Sequence, residues 1–363
     1  MKVLHIIPSL KAGGAEKLLS DLLVSLKISG LDVELMLLDG VDARFLGQVT
    51  ESGIPVEISK IKDCYSAKQI REIRKVVHDS HPDIVHTHLF PAQLWSALSL
   101  RSFGVRLITT EHSTFNRRRK HRVFKLLDRA VYHPYERIIC NSRATKEALD
   151  DWLPGVKTKS VVIPNGIVKE VYANAEPYLK RDFLGRISDN VRIIAVVSRF
   201  SQAKDHATVI RALALLPDAY HLLLVGEGPT ASEAKELAYA LGVMGRAHFI
   251  GVRQDVARIL KSADLLVQSS HWEGFGLSAV EGMAAGLPVI VSDTPGLAET
   301  FEDFALTFHR GDALALSERI RSLEAPSFYE ERRERSLAGA QRFDISRMRT
   351  RYREVYDQVM GEN

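Results

Sequence analysis

The stretch Glu273-Gly274-Phe275-Gly276-Leu277-Ser278-Ala279-Val280-Glu281 has residue types suited to a phosphorylated sugar. Carboxylates accept hydrogen bonds from hydroxyls. Two glycines let the backbone approach a ligand closely, because no Cβ stands in the way. A helix opening at about Gly276, with Leu277 in its first turn, aims unpaired N–H groups and its positive dipole end at the turn, which suits phosphate. Carboxylates beside an anion site make sense when they hold hydroxyls, and phosphates flanked by hydroxyls describe a nucleotide sugar. The bland alternative is an ordinary glycine-rich strand-to-helix turn with solvated glutamates.

Other stretches carry related chemistry. Arg199 and Lys204 follow an apolar run, Arg192–Val197. A planar guanidinium and a mobile ammonium at the carboxyl end of a parallel strand could together neutralise a leaving diphosphate; two solvated surface cations would look the same. Gly13 and Gly14 follow the first apolar run and offer a second place where backbone could meet phosphate. They lack the G-x-G-x-x-G spacing of a dinucleotide site. Among the 13 histidines, His112 stands out because it lies just past a predicted strand. Val225-Gly226-Glu227-Gly228-Pro229 and Gly251-Val252-Arg253-Gln254-Asp255-Val256 could wall a nucleotide base, Val252 and Arg253 among them, or be tight turns. Arg117, Arg118, Arg119 and Lys120 open a basic run leading into the apolar Val123-Phe124-Lys125-Leu126-Leu127. That pattern fits a solvated face, or a helix lying on an anionic membrane. No two aspartates are separated by a single residue, so the D-x-D arrangement that holds a divalent ion on a sugar nucleotide is missing. His86 with His81 or His88 lacks a third ligand at credible spacing. No metal or other cofactor is expected.

Elements that would position these residues alternate along the chain. Val3–Ile7, Val33–Leu38, Val56–Ile58, Ile84–His86, Leu107–Thr110, Arg137–Cys140 and Ser160–Ile163 read as strands. Helical patterns lie between most of them, such as Glu16–Leu26 with Leu18, Leu19, Leu22, Leu23 and Leu26 on one face. After Pro164-Asn165-Gly166 and a polar stretch to about Asn190 the alternation restarts, with strands at Arg192–Val197, His221–Val225, His248–Ile250, Leu265–Gln268 and Leu287–Val291 and helices at Asp205–Leu215 and Thr230–Leu241. This predicts an α/β protein of two Rossmann-like domains, residues 1–168 and 169–345, with the ligand in the cleft between them. The charged tail ends in a helix over about 346–363.

Composition sets outer bounds. A length of 363 residues exceeds one compact core and fits two domains. A net charge of +4 is too small for a dedicated nucleic-acid binder. Cys64 and Cys140 are far apart and without metal spacing, as in a reducing compartment. MKVLHIIPSL is too short for a secretory core, and no apolar run approaches the ~20 residues that span a bilayer. A cytoplasmic protein is expected, at the inner face of the cell membrane if the basic run binds lipid.

Taken in order, these stretches resemble the family-four retaining glycosyltransferases of the GT-B fold. The resemblance rests on Gly13-Gly14-Ala15-Glu16, Ile163-Pro164-Asn165-Gly166, Arg199 with Lys204, Val225 to Pro229, the Gly251–Val256 turn, and the E-x7-E spacing of Glu273 and Glu281 with Gly282 to Val289. It covers nearly the whole chain. It implies that Arg199 and Lys204 hold the donor's pyrophosphate, helped by backbone around Gly14 and by Gly276 and Leu277. Glu281 would hold the ribose, Glu273 with Gly274 and Phe275 the sugar, and His112 the sugar or phosphate near the reacting carbon. It further implies an N-terminal acceptor-binding domain, a C-terminal nucleotide-sugar domain, a terminal helix crossing back to the first domain, and no metal. The donor would be a nucleotide sugar, a UDP-sugar first, and the acceptor a glycan or lipid-linked hydroxyl in surface glycan assembly. The alternatives are a nucleotide-sugar 2-epimerase of the same fold and a non-catalytic nucleotide-binding partner. Two positions depart from the family pattern: Val168 stands where an aspartate is frequent, and Asp205 where a glycine often follows the lysine.

Overall fold

The computed structural model describes residues 1–101, 103–181 and 191–361, so the last part of the polar stretch before Val191, residues 182–190, lies outside the described residues. The chain divides into two compact units, Met1–Gly166 with Ile345–Asn363, and Ile167–Asp344.

In the first unit, seven parallel strands stand in the order β3-β2-β1-β4-β5-β6-β7. They are β1 Lys2–Ile7, β2 Asp32–Leu37, β3 Val56–Ile58, β4 Ile84–His88, β5 Arg106–Glu111, β6 Arg137–Cys140 and β7 Ser160–Val162. Parallel strands covered on both faces read as apolar runs, and Val3, Leu4, Ile6 and Ile7 of β1 are fully buried. Strand β4 runs two residues further than its apolar pattern, through Thr87 and His88, because its polar side chains find hydrogen-bond partners inside the unit. The helix Gly14–Ile28 starts ahead of the expected Glu16 and buries the predicted leucine stripe.

The second unit holds six parallel strands in the order β10-β9-β8-β11-β12-β13. They are β8 Arg192–Val197, β9 Tyr220–Val225, β10 Ala247–Gly251, β11 Leu265–Gln268, β12 Val289–Ser292 and β13 Leu306–Phe308. Strand β13, absent from the sequence reading, is a three-residue edge pairing Ile290 to Leu306. In each sheet the strand order reverses once, between β1 and β4 and between β8 and β11. Loops at the carboxyl ends of such strand pairs form the crevice where open α/β sheets bind ligands.

The terminal helix Ile345–Met360 belongs to the first unit, as the resemblance implied. Tyr356 and Tyr352 are fully buried there. The Tyr356 hydroxyl meets His86 Nδ1 at 2.8 Å and the Tyr352 hydroxyl meets Thr110 Oγ1 at 3.3 Å. Tyr356→Phe would leave a buried imidazole nitrogen unpaired. Urea denaturation should show a loss of about 1–3 kcal/mol, and an unchanged midpoint would contradict this packing.

Candidate active site

At the reversal between β8 and β11 the structure brings together Lys204, Gln268 and Glu273. Strand β8 ends at Val197 and its chain continues through exposed Arg199 to a single 3-10 turn, Gln202–Lys204. Strand β11 ends at Gln268, and the following loop is tied to the first by His271 N–H donating to Ala203 O at 2.8 Å. Lys204 Nζ donates to Glu273 Oε2 in a close ion pair. Gln268 Nε2 donates to the same oxygen at 2.9 Å, and Gly274 N–H donates to Oε1 at 3.0 Å. Burial raises the Glu273 carboxyl's pKa, but the Lys204 charge and these hydrogen bonds outweigh it and hold the group below its ordinary 4.5.

Gln268 also serves the helix Leu277–Ala284. Its Oε1 accepts from Ala279 N–H at 3.1 Å and from Ser278 Oγ at 3.0 Å. One side chain thereby joins the carboxylate to the helix N-terminus, where Gly276 is the capping residue with φ +100°. A Cβ on Gly276 would lie 2.5 Å from Leu297 Cδ2, so glycine is required by conformation and by space. Sequence reasoning passed over Gln268, although a polar residue closing the apolar run Leu-Leu-Val-Gln was a visible signal.

Asp205 explains one departure from the family pattern. It adopts a left-handed backbone, φ 32° and ψ 50°, which favours glycine and which aspartate tolerates better than most residues. Its carboxylate caps the helix His206–Ala214 at Thr208 N–H, 3.4 Å, and accepts from Ser269 Oγ at 3.0 Å. Val168, the other departure, precedes the helix Lys169–Ala173 and gives it no side-chain cap.

Glu281 is buried in its helix and accepts a hydrogen bond from Tyr172 Oη at 2.6 Å. Tyr172, far away in sequence, was not foreseen. Of the two stretches offered as base walls, Gly226 to Pro229 packs backbone on backbone against Ser198–Phe200. A Cβ on Gly226 would strike the Ser198 carbonyl. In the other, Val252 is 38% exposed, while Arg253 is committed to a two-pronged pair with Asp255 at 2.8 and 2.6 Å.

In the first unit, Gly13 caps the helix Gly14–Ile28 without a side-chain hydrogen bond, and the Glu16 side chain folds over it. An anion at Gly13 and Gly14 would have to move that carboxylate aside. His112 follows β5; its Nε2 lies 3.4 Å from His88 Nδ1, and burial lowers its pKa to about 4 against a weaker upward pull from Glu111. It is an uncharged imidazole near neutral pH.

The basic run differs from its sequence reading. Arg119 Nη2 meets Glu111 Oε2 at 3.1 Å and Arg118 Nη1 meets Asp128 Oδ1 at 3.3 Å, with both arginines largely buried. Arg118 also stacks over Phe90, 3.7 Å from the ring centre. These charges are spent on buried carboxylates, so neither arginine forms part of an open cationic surface. The side chains of Arg117 and Lys120 lie outside the described residues. The expectation that His86 and His88 lack a third partner is also corrected. His5 of β1 sits beside His86 in the sheet, and single nitrogens of His5, His86 and His88 lie within 4.8 Å of one another. His86 has both nitrogens on hydroxyls, Tyr356 and Thr110, at 2.8 Å each. Occupied in this way, it is a poor metal ligand.

Two doubly wound parallel sheets, with the terminal helix in the first unit, define the GT-B class. Anabaena HepE, solved with UDP and glucose, has the same fold, with a TM-score of 0.87 and 22% identity over 99% of this chain and 100% of that one. Residues 12–171 match the model of Glycosyltransferase Family 4, and residues 181–342 that of Glycosyl transferases group 1. The chain belongs to the family-four glycosyltransferases. A Bacillus subtilis (strain 168) protein named as a glycosyltransferase, EpsF, is 25% identical over 81% of this chain and 79% of its own. The Escherichia coli UDP-Gal:alpha-D-GlcNAc-diphosphoundecaprenol alpha-1,3-galactosyltransferase is 30% identical over 66% of this chain and 64% of its own. The protein is therefore an enzyme that transfers a glycosyl group, and neither the 2-epimerase nor the non-catalytic alternative finds support.

The Glu273 pair has a pH signature. Because the folded carboxyl titrates below 4.5, its contribution to stability is present above that value and lost as pH falls through the folded pKa. The stability difference between wild type and Glu273→Gln should be constant near neutrality and shrink below about pH 4.5. A difference independent of pH from 6 to 3 would contradict the ion pair.

Proposed function

We propose that the enzyme moves a sugar from a UDP-sugar to a hydroxyl of a glycan or lipid-linked acceptor, with retention of anomeric configuration and without a metal ion. The observation that carries this reading is Lys204 held by Glu273 at the reversal of the second sheet, with exposed Arg199 on the same loop. Arg199, Lys204 and the N–H groups at Gly276 and Leu277 would take the diphosphate. Glu281, steadied by Tyr172, would take the ribose, with Val252 and Arg253 beside the base. A diphosphate that draws Lys204 toward itself frees Glu273, with Gly274 and Phe275, for the sugar's hydroxyls. His112 adds a neutral hydrogen-bonding group for the sugar or phosphate, and the backbone at Gly13 and Gly14 a further phosphate contact. The N-terminal unit would bind the acceptor. The choice of uracil rests on the name of the E. coli relative and on the UDP bound to HepE; that relative's diphosphoundecaprenol acceptor supports a lipid-linked one.

In the reaction the bond from the anomeric carbon to the diphosphate oxygen breaks, and a bond to the acceptor oxygen forms on the same face. The acceptor proton passes to the departing phosphate oxygen, so no strong protein base is needed. Stabilising the leaving charge by Arg199 and Lys204 is the main catalytic contribution. Product formed in excess EDTA should appear at an undiminished rate, and proton NMR of fresh product should show the donor's anomeric configuration. Activity lost on chelation and restored by magnesium or manganese, or an inverted linkage, would overturn the assignment.

Contact with the membrane is moved from the paired Arg118 and Arg119 to the stretch that follows them. No helix among the described residues is long and apolar enough to cross a membrane. The helix Phe124–Tyr132 and the residue before it expose Val123 by 73%, Leu126 by 75% and Leu127 by 38%. Arg122, Lys125 and Arg129 are exposed beside them, and Lys125, Leu126, Arg129, His133 and Lys159 line an open groove of about 590 Å³. Apolar anchors ringed by cations suit an anionic lipid surface, each basic group contributing about 1 kcal/mol. Lys125→Gln/Leu126→Asp/Arg129→Gln should stop sedimentation with anionic vesicles at moderate salt. Arg118→Gln and Arg119→Gln should instead lower stability, because each leaves a buried carboxylate unpaired. Unchanged sedimentation of the triple variant would return this face to solvent.

A further inference from the structure

Four histidines gather at the reversal of the first sheet, and the proposed reaction uses one of them. His5 Nδ1 lies 3.0 Å from His88 Nε2, and His88 Nδ1 lies 3.4 Å from His112 Nε2. The three rings form a chain from the buried middle of β1 to the loop after β5. His5 and His88 are buried, and burial lowers the pKa of each, His5 to about 3. His86 stacks against His5 and His88, but its nitrogens are taken by the Tyr356 and Thr110 hydroxyls. Those hydroxyls rotate to donate or accept, so His86 imposes no direction on its neighbours.

A neutral imidazole has one N–H and one lone pair, so two such hydrogen bonds in series can run only one way or the other. In one direction His112 donates through Nε2–H, His88 through Nε2–H, and His5 carries its proton on Nε2. In the other, His5 and His88 each donate through Nδ1–H, and His112 keeps its own proton on Nδ1. The inner end decides between them. His5 Nε2 is buried and has no hydrogen-bond partner among the described residues. A buried N–H without an acceptor is the rarer and costlier defect, and a bare ring lone pair the lesser one.

We infer that His88, in the chain that begins at His5, acts as a positioning residue that fixes His112 in its Nδ1–H tautomer, so that His112 meets the donor substrate as a hydrogen-bond donor. A donor of this kind suits a phosphate oxygen or a sugar hydroxyl lone pair. The role of the Nδ1–H rests on the reading that His112 contacts the donor; the tautomer itself does not, and can be read on the protein alone.

The test is nitrogen-15 NMR of the full chain labelled at histidine, above pH 6, with His112 assigned by the signal missing in His112→Gln. Long-range proton–nitrogen correlations distinguish the two tautomers. The wild type should show His112 as Nδ1–H. His88→Leu should move it toward the Nε2–H form that an unconstrained imidazole favours in water, with His88→Val as the substitute where that variant fails to fold. His5→Phe should leave it as Nδ1–H, because His88 Nε2 then becomes the buried nitrogen without a partner. An Nε2–H wild type, or an Nδ1–H signal untouched in the folded His88 variant, overturns the inference. So does a joint shift of His5, His86 and His88 on adding zinc, which would make the cluster a metal site. Addition of a UDP-sugar then separates the two claims: an Nδ1–H His112 indifferent to donor upholds the tautomer and removes His112 from the donor site.

Discussion

A carboxylate withdrawn from water stays ionised only where charge and hydrogen bonds replace the solvent it has lost. Glu273 is held in that way by Lys204, Gln268 and the Gly274 N–H. The second unit's candidate site depends on this arrangement. It ties the loop after β11 to the loop after β8 and, through Gln268, to the N-terminus of the helix Leu277–Ala284; under the proposed function a ligand hydroxyl would meet the carboxylate once the lysine turned to phosphate. The glycine at Gly276 and the left-handed Asp205 are local backbone conditions for bringing the two loops so close.

The first unit uses a similar device for a different end. Glu111 receives Arg119, Gln93 and the Tyr132 hydroxyl, and Asp128 receives Arg118 and the Trp152 indole. Removing one member of such a buried pair is strongly destabilising, whereas the intact pair contributes little net stability. These networks are therefore better understood as fixing the segment after β5 in one conformation than as reservoirs of folding energy. That segment begins at His112 and ends in the helix Phe124–Tyr132, with exposed Val123 just before it and exposed Leu126 on it.

Much of this architecture was legible in the sequence. Among the described residues the apolar runs marked twelve of the thirteen strands, because parallel strands buried on both faces are mostly apolar. Strand β13 was not read, although β3 and β7 are equally short edge strands that were. The ordered motifs also led to the correct family. What the sequence withheld were partners separated by long stretches of chain. Tyr172 on Glu281 and His5 on His88 are contacts made by folding, without spacing to announce them. Arg118 and Arg119 misled for the same reason: a row of cations looks open until Glu111 and Asp128 are found beside these two. Gln268 was different, since a polar residue ending a buried strand was there to be read.

The central claim is that Lys204 at this position receives a diphosphate. Titration calorimetry with uridine, UMP and UDP tests it, comparing Glu273→Gln with Lys204→Met/Glu273→Gln so that no unpaired charge is left buried. The account predicts that losing the lysine weakens UDP about ten- to a hundredfold, as expected for a charge-assisted hydrogen bond of roughly 1.5–3 kcal/mol, while uridine is bound equally well by both. Equal weakening of uridine and UDP, or no weakening of either, would contradict it.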